Sequence, residues 1–448
     1  MIKDFIRMFL AAVISILSSL IQVFLVPKVL DINGYGMFKE FTLLCTYLSI
    51  FTLGACDGIY IYYGGVKREE INLNKLNYIS NIFIKTQLLI FIPILIGGIY
   101  LKNIQIILLS IMGISQNIIL LYKQQFKAIG EFGNFSKINN IEALSKIICI
   151  AVVIIFVKNV TAIDIILAMV ISQLGILFIL PNKCEVLFCK NREPVFKEYI
   201  NIIKIGILAL IANLANNLFF SIDRWFVLYR FEYNDFAYYS FATSIITLVF
   251  IIVNYLSAII YPILADEKKY YRIEDFKFLA IIFSSFFMGS YFILHIIVNI
   301  FLQKYKPAME IIKILYMSFP AMIVILSIYI TFFKATKDMK GYINCLIKAL
   351  LVSVILNSIA VCFNKINYIA IFTSLTYYLW LLYMQRGKIK LKKNDYVYIL
   401  ITCVLFYATS NYTNIILSLS VYYISIIFIT IILYRDKIRK IIKNSKVN

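Results

Sequence analysis

The sequence predicts an all-α polytopic membrane protein of about 14 transmembrane helices, arranged as two parallel-repeat six-helix lobes plus two C-terminal helices. Three observations support this prediction. Hydrophobic residues make up 62% of the 448 residues. Apolar stretches of about 20 residues, the length that a helix needs to cross a bilayer, run along nearly the whole chain. Lysine and arginine concentrate in alternate gaps between these stretches.

Fourteen apolar stretches qualify as spans. They lie near residues 5–30, 41–62, 81–101, 105–122, 141–157, 162–181, 201–228, 237–264, 276–300, 309–333, 342–362, 368–385, 396–409 and 414–434. The first is too long for a signal-peptide core and lacks a small-residue cleavage site, so we expect it to remain as a helix. We predict an N-terminal lobe over residues 1–190, a C-terminal lobe over 191–385, and spans 13 and 14 with a basic tail over 386–448.

The distribution of basic residues predicts the orientation. With a cytoplasmic N-terminus, the inside segments carry 30 lysines and arginines and the outside segments carry 8. Cations resist translocation against the membrane potential, so this bias fixes the inside face. We therefore expect both termini and the segment 386–395 to be cytoplasmic. The frequent Ile, Asn and Lys are typical of an AT-rich bacterial gene.

Composition also excludes several classes of protein. The net charge of +21 serves topology and contact with anionic lipid headgroups, so membrane lipids and no nucleic acid are the expected partners. The eight cysteines are scattered, which favours buried small hydrophobes over disulfides or metal ligands. The single histidine, His295, is interpreted as a helix contact in the ninth span. No HExxH, GxSxG or P-loop pattern occurs, so we expect no enzyme, cofactor or metal.

Short internal matches suggest a repeat. Asn33-Gly34-Tyr35-Gly36-Met37-Phe38 after the first span resembles Asn234-Asp235-Phe236-Ala237-Tyr238-Tyr239 after the seventh. Phe126-Lys127-Ala128 after the fourth resembles Phe333-Lys334-Ala335 after the tenth. The matched loops lie six spans apart. Because six is even, the two halves would have the same orientation, as in parallel-repeat secondary transporters.

Polar residues recur on single faces of spans 1, 2, 7 and 8. The stripes contain Ser15, Ser18 or Ser19, and Gln22; Thr42, Thr46, Ser49 and Asp57; Asn213, Asn217, Ser221 and Arg224; and Thr243, Thr247, Asn254 and Ser257. Hydrogen bonds between helices explain any one stripe. Four stripes on repeat-related spans favour a shared polar cavity between the lobes.

Several motifs resemble those of a known family. Val26-Pro27-Lys28-Val29-Leu30 followed by Gly34-Tyr35-Gly36 is similar to the P-x-x-L-G…Y-G pattern of Wzx-type polysaccharide (O-antigen) flippases, with Asp31 where glycine is usual. These belong to the multidrug/oligosaccharidyl-lipid/polysaccharide exporter (MOP) superfamily. Asp223-Arg224, Tyr238-Tyr239-Ser240 and Phe126-Lys127-Ala128-Ile129-Gly130 also resemble this family.

The resemblance implies a function and partners. It implies a carrier that flips undecaprenyl-pyrophosphate-linked oligosaccharide from the cytoplasmic to the outer leaflet, for surface polysaccharide and lipopolysaccharide synthesis. The implied central cavity is cationic, and the implied transport is coupled to an ion gradient. The implied protein partners are a polysaccharide polymerase and a chain-length regulator.

Cations within the spans are candidates for binding an anionic headgroup. A cation in mid-bilayer costs roughly 2.5–3.5 kcal/mol, so it usually has a role or a partner. Arg224 is the first candidate, with Asp223 to orient it. The other substrate-binding candidates are Gln22, Lys85, Lys146, Asn213, Asn217, Lys313 and Lys348. Snorkelling of the lysines to lipid phosphate is the alternative, and Lys204 is set aside because it lies opposite the Asn213 stripe.

Asp57 is the candidate for ion coupling, because it lies within a span on a polar face. Pairing with a cation and a purely structural role remain open for it. A lipid II flippase would share the predicted architecture, and so would an ion-coupled small-molecule exporter. An exporter of cations would need a cavity dominated by carboxylates, whereas the spans hold more Lys and Arg than Asp. A glycosyltransferase would need paired external carboxylates, which the short outside loops lack.

Overall fold

The computed structural model describes residues 2–64, 66, 71–180, 196–265, 273–385, 389–412 and 414–445. Throughout these ranges the regular structure is helical, so the prediction of an all-α fold is confirmed. The chain forms two compact units, Met1–Leu218 and Phe219–Asn448. The predicted lobe boundary at residue 190 lies outside the described residues, as do Cys184 and Cys189.

The first unit is built from eight α-helices, the last of which ends one residue beyond the unit. They are α1 (Ile2–Val29), α2 (Ile32–Cys45), α3 (Ala55–Tyr63), α4 (Leu73–Tyr100), α5 (Ile104–Ile129), α6 (Phe132–Phe156), α7 (Ala162–Ile179) and α8 (Phe196–Phe219). A short 3₁₀ turn, Leu48–Thr52, lies between α2 and α3.

The second unit continues with eleven α-helices. They are α9 (Ile222–Arg230), α10 (Tyr233–Ala265), α11 (Ile273–Met288), α12 (Ser290–Phe301), α13 (Ala308–Tyr316), α14 (Phe319–Val324), α15 (Ile330–Ala335), α16 (Met339–Val361), α17 (Ile366–Met384), α18 (Lys393–Ser410) and α19 (Ile415–Ser445). A π-helical segment, Ile325–Tyr329, joins α14 to α15.

Each of the fourteen predicted apolar stretches coincides with a helix or with consecutive helices. Within the described residues, nine helices are long and apolar enough to cross a membrane, and the count reaches eleven if each of two bent pairs is one span. The helices α17 and α18 are apolar in part and fall outside that count, and so does α1, whose apolar portion is Val13–Val29. The chain is therefore a multi-pass membrane protein.

Short polar residues cap the first turns of several helices. Asp31 accepts a hydrogen bond from the Gly34 N–H at 3.0 Å and is the N-cap of α2. Thr161 and Asp164 form a reciprocal capping box at the start of α7. The first half of the repeat motif thus begins α2, and the second half begins α10.

Span 2 is broken, contrary to the single helix that its polar stripe implied. The segments Ile32–Thr52 and Ala55–Tyr63 are bent by 57°. Leu53 and Gly54 at the break have φ of 53° and 85°, the left-handed region that interrupts an α-helix. Asp57 therefore lies on the short helix α3. Its position relative to Thr42 and Thr46 does not follow α-helical spacing.

Amide side chains satisfy the carbonyl groups that this break frees. Asn117 donates to the Leu48 carbonyl at 3.1 Å and to Gln87 Oε1 at 2.8 Å. Gln87 in turn donates to the Phe51 carbonyl at 2.9 Å. Asn117 and Gln87 are almost fully buried. Because unpaired backbone groups are costly in a membrane interior, these two residues stabilise the broken span.

Span 10 of the second unit is broken in a comparable way. The segments Ala308–Tyr316 and Phe319–Ala335 are bent by 50°, and Pro320 follows at the start of α14. Tyr378 donates to the Met317 carbonyl at 2.6 Å, and Ser257 donates to the Leu326 carbonyl at 3.1 Å. In span 10, side-chain hydroxyl groups therefore donate to backbone carbonyls, as side-chain amides do in span 2.

Three segments predicted to be cytoplasmic meet at one end of the second unit. The buried Lys277 ammonium donates to Glu274 Oε1 and to the Lys390 carbonyl, each at 2.7 Å. Lys392 contacts Glu274 at 2.8 Å, and this hydrogen bond raises the pKa of the Lys392 ammonium. Lys437 donates to the Glu274 carbonyl. Hydrogen-bonded groups cannot lie on opposite faces of a bilayer, so these segments share a side, as the charge pattern predicts.

Candidate functional site

A partly open cavity of about 340 Å³, with polar and apolar walls, lies in the first unit. Its wall includes Gln22 and Lys146, which the sequence singles out, together with Lys123, Glu142 and Gln173. Thr42, Thr46 and Gln116 contribute further polar groups, and Met112, Ile119, Leu120 and Met169 contribute apolar ones. The cavity thus brings together side chains from α1, α2, α5, α6 and α7.

An ion cluster forms the charged part of this cavity. The Lys146 ammonium is 2.9 Å from Glu142 Oε1, one helical turn away on α6. The Lys123 ammonium binds Glu142 Oε2, and Gln173 donates to Glu142 Oε1 at 2.8 Å. The side chains of Lys123, Lys146 and Glu142 are 17–19% exposed. Two cations share one carboxylate, so the formal charge of the cluster is positive.

Three members of this ion cluster are not among the predicted site residues. Lys123 directly follows the fourth apolar stretch, so the sequence assigns it to an inside loop. Glu142 lies at the start of the fifth stretch. The i,i+4 spacing of Glu142 and Lys146 is the usual spacing of an ion pair on a helix, and it could have identified Glu142. Gln173 carried no signal in the sequence.

The structure brings Asp57 and Asn213 together. Asn213 donates to Asp57 Oδ1 at 3.3 Å, which joins the short helix α3 to α8. Asn217 donates to the Thr46 carbonyl at 3.3 Å, at the end of α2. Asp57 also interacts electrostatically with Lys127 at the end of α5. Two residues of the predicted stripe on span 7, Asn213 and Asn217, therefore contact the broken span 2. All of these residues lie in the first unit.

Arg224 and Asp223 begin the second unit's short helix α9. Asp223 is buried and accepts hydrogen bonds from the Arg224 backbone N–H and the Tyr239 hydroxyl, both at 2.8 Å. The Arg224 guanidinium instead donates from Nη2 to the Phe220 carbonyl at 3.1 Å. Asp223 thus stabilises the first turn of α9, which carries Arg224. The guanidinium of Arg224 binds the Phe220 carbonyl, which lies between α8 and α9.

The guanidinium of Arg224 is incompletely satisfied. The side chain is half-buried, and its Nε is buried without a hydrogen-bond partner. A guanidinium has five N–H donors in a planar fork, which suits bidentate contact with phosphate or carboxylate oxygens. Arg224 therefore has donors available for an oxyanion ligand.

The remaining predicted lysines lie elsewhere. Lys313 donates to Asn411 Oδ1 at 3.0 Å and lies over the Tyr407 ring, so it contacts α18 and the turn that follows it. Lys85 shares an exposed face of α4 with Leu89, Ile92 and Ile96, and Lys348 shares an exposed face of α16 with Leu351 and Ile355. Such faces are typical of lipid contact, which favours snorkelling for these two lysines.

His295 makes the helix contact that its isolation suggested. Its Nδ1 is 2.9 Å from Asn299 Nδ2, one turn away on α12, and its ring lies beside Tyr291. Within the described residues no group of three or more His, Cys, Asp or Glu side chains could hold a metal ion.

Fold and cavity define a polytopic helical membrane protein with charged groups in its interior, and solved structures of the same fold exist. The chain is similar to the lipid II flippase MurJ in an inward closed conformation, with a TM-score of 0.69 and 15% identity over 98% of this chain and 100% of that one. It is also similar to an inward-facing multidrug resistance MATE family transporter of the MOP superfamily, with a TM-score of 0.59 and 10% identity over 91% of this chain and 99% of that one.

These likenesses extend over almost the full length of each chain and establish the fold. No protein-family model matches the sequence, and no curated protein matches it.

Proposed function

We propose that this protein flips undecaprenyl-pyrophosphate-linked oligosaccharide units from the cytoplasmic to the outer leaflet of the bacterial inner membrane by alternating access. The observation that carries this proposal is the half-buried Arg224 guanidinium with its unpartnered Nε. A buried donor without a partner costs about 1–3 kcal/mol. The Nη2 group donates to the Phe220 carbonyl, so the other Nη N–H groups of the guanidinium are the donors available to a pyrophosphate oxygen.

Asp223 is a positioning residue in this proposal. Its carboxylate is held by Tyr239 and by the Arg224 backbone, so it leaves the guanidinium free for the pyrophosphate. The fold supports transport rather than chemistry, because the solved structures of similar fold are a flippase and a transporter. The resemblance of the Asp223-Arg224 pair to the Wzx-type pattern favours the oligosaccharide as the cargo.

The test is export in a strain that lacks its own oligosaccharide flippase. Arg224→Ala should abolish surface polysaccharide at unchanged protein level. Arg224→Lys should retain part of it, because charge remains but the fork is lost. Arg230→Ala, at the exposed end of the same helix, is the matched control and should export normally. Normal export by Arg224→Ala would remove Arg224 from the site.

Lipid II is the second candidate substrate, favoured by the full-length likeness to the MurJ structure. Both cargoes present a pyrophosphate, so Arg224 fits either of them. Rescue of a strain depleted of its lipid II flippase, without rescue of polysaccharide export, would select lipid II. Rescue of neither strain, together with raised drug resistance, would select the small-molecule exporter instead.

Asp57 is the candidate for ion coupling in this proposal. Its carboxylate begins the short helix after the break in span 2 and accepts one hydrogen bond from Asn213. Ends of broken helices provide ion sites in secondary transporters. Asp57→Asn should remove the dependence of transport on the ion gradient, whereas an unchanged gradient dependence would leave Asp57 with a structural role. A polysaccharide polymerase and a chain-length regulator would receive the flipped units.

A further inference from the structure

We infer that the cavity of the first unit binds one singly charged carboxylate ligand that carries hydroxyl groups, such as a hexuronic acid. The site consists of Lys123, Lys146, Glu142 and Gln173, with Thr42 and Thr46 on its wall. None of these residues belongs to the unit that holds Arg224, and the inference does not depend on the proposed cargo.

The charge of the cavity points to one negative charge on the ligand. Lys123 and Lys146 both contact the single carboxylate of Glu142. An uncompensated charge is expensive in a membrane interior. A ligand with one carboxylate would bring the cluster to neutrality, whereas a dianion would leave it negative.

The hydrogen-bonding groups of the cavity point to a carboxylate with hydroxyls. Each ammonium has three N–H donors, and Glu142 occupies one on Lys123 and one on Lys146, so donors remain for a ligand oxygen. Gln173 is 1% exposed, and its Oε1 is buried without a partner. This oxygen can only accept and has no surface exposed to the cavity, so a ligand satisfies it only after the Gln173 side chain turns, and the ligand group must then donate a hydrogen bond. A hydroxyl group does so, and a halide cannot.

The size and the walls of the cavity fit a single sugar residue. A volume of about 340 Å³ is far larger than a single ion needs. The Thr42 and Thr46 hydroxyls donate to backbone carbonyls at 3.0 and 2.6 Å, which leaves their lone pairs to accept from a ligand. Met112 and Met169 provide an apolar surface for the C–H face of a sugar ring.

The test is direct binding of radiolabelled glucuronate to the purified full-length protein in nanodiscs. Wild-type protein should bind glucuronate saturably, and glucose should not compete, because it lacks the carboxylate. Lys123→Gln and Lys146→Gln should each weaken binding at least tenfold. Glu142→Gln should strengthen binding several-fold, because it removes the carboxylate that competes for both lysines. Lys204→Gln, on the exposed side of α8, is the matched control and should bind as wild type does.

Three outcomes would overturn the inference. They are no saturable glucuronate binding by wild-type protein, full binding by both folded lysine variants, and displacement of glucuronate by chloride at equal concentration, which would indicate a simple anion site. If Glu142→Gln fails to fold, the two lysine variants and the chloride competition still decide. Arg224→Ala should bind glucuronate normally, so loss of export with intact binding separates this site from the proposed flipping function.

Discussion

Gly206 and Gly54 meet where α8 crosses the break in span 2, so closely that a methyl group on Gly206 would overlap the Gly54 carbonyl oxygen and the Gly58 N–H. Two backbones can approach this closely only where side chains are absent, as at small-residue crossings in membrane proteins. The crossing places Asn213, two turns further along α8, beside Asp57.

We predict that Gly206→Ala destabilises the first unit. Overpacking in a close-packed interior typically costs about 1–3 kcal/mol, and here the neighbouring atoms are backbone and cannot move aside. Gly175→Ala is the matched control, since nothing lies within 4 Å of the added methyl. Thermal unfolding in detergent should show a lower midpoint for Gly206→Ala alone. Equal midpoints for the two variants would contradict the close crossing.

A second prediction concerns the buried amide of Asn117. Asn117→Ala leaves the Leu48 carbonyl and Gln87 Oε1 without their donor, which should cost about 1–3 kcal/mol. Asn134→Ala removes an amide from an exposed position and should be nearly neutral. The measurement is again the unfolding midpoint, with proteolysis near residue 48 as a local readout. An Asn117→Ala protein as stable as wild type would show that water replaces the amide.

A third prediction compares the stabilities of two variants of the ion cluster. Glu142→Gln leaves Lys123 and Lys146 close together without a countercharge, whereas Lys146→Gln leaves one neutral Lys123–Glu142 pair. Removal of one partner from a buried ion pair costs about 3–5 kcal/mol, so Glu142→Gln should be the less stable variant. Differential scanning fluorimetry at low and high salt measures this order. The reverse order would show that Lys146 is already compensated elsewhere.

The fourth prediction tests the orientation. Cys362 is exposed and close to Lys365, so a variant in which the other cysteines are replaced reports on this predicted outside loop. Lys392→Cys, in a background without the other cysteines, reports on the predicted cytoplasmic segment, where its side chain is 69% exposed. A membrane-impermeant reagent should label position 362 in intact cells and position 392 only after lysis. Labelling of both in intact cells would contradict the fourteen-span topology.

The apolar pattern was sufficient to predict the positions of the helices within the described residues, because the hydrophobic length of a span is fixed by the bilayer itself. It could not predict the breaks in spans 2 and 10. Leu53 adopts a left-handed conformation only because tertiary contacts such as Gly54 against Gly206 hold it there. Polarity identified Lys146 and Gln22, and the partner of Lys146, Glu142, lies one turn away on the same helix. The other partners of Glu142 depend on helix packing. Lys123 and Gln173 are far from Glu142 in sequence, and they meet it only when α5, α6 and α7 pack together.

The measurement that tests the central claim most directly is flipping by purified protein in liposomes loaded with undecaprenyl-pyrophosphate-linked oligosaccharide. Wild-type protein and Arg230→Ala should raise the rate at which the sugar becomes accessible on the opposite leaflet well above that of protein-free liposomes. Arg224→Ala should reduce it to the protein-free rate. A wild-type rate equal to that of empty liposomes, or an Arg224→Ala rate equal to wild type, would contradict the account.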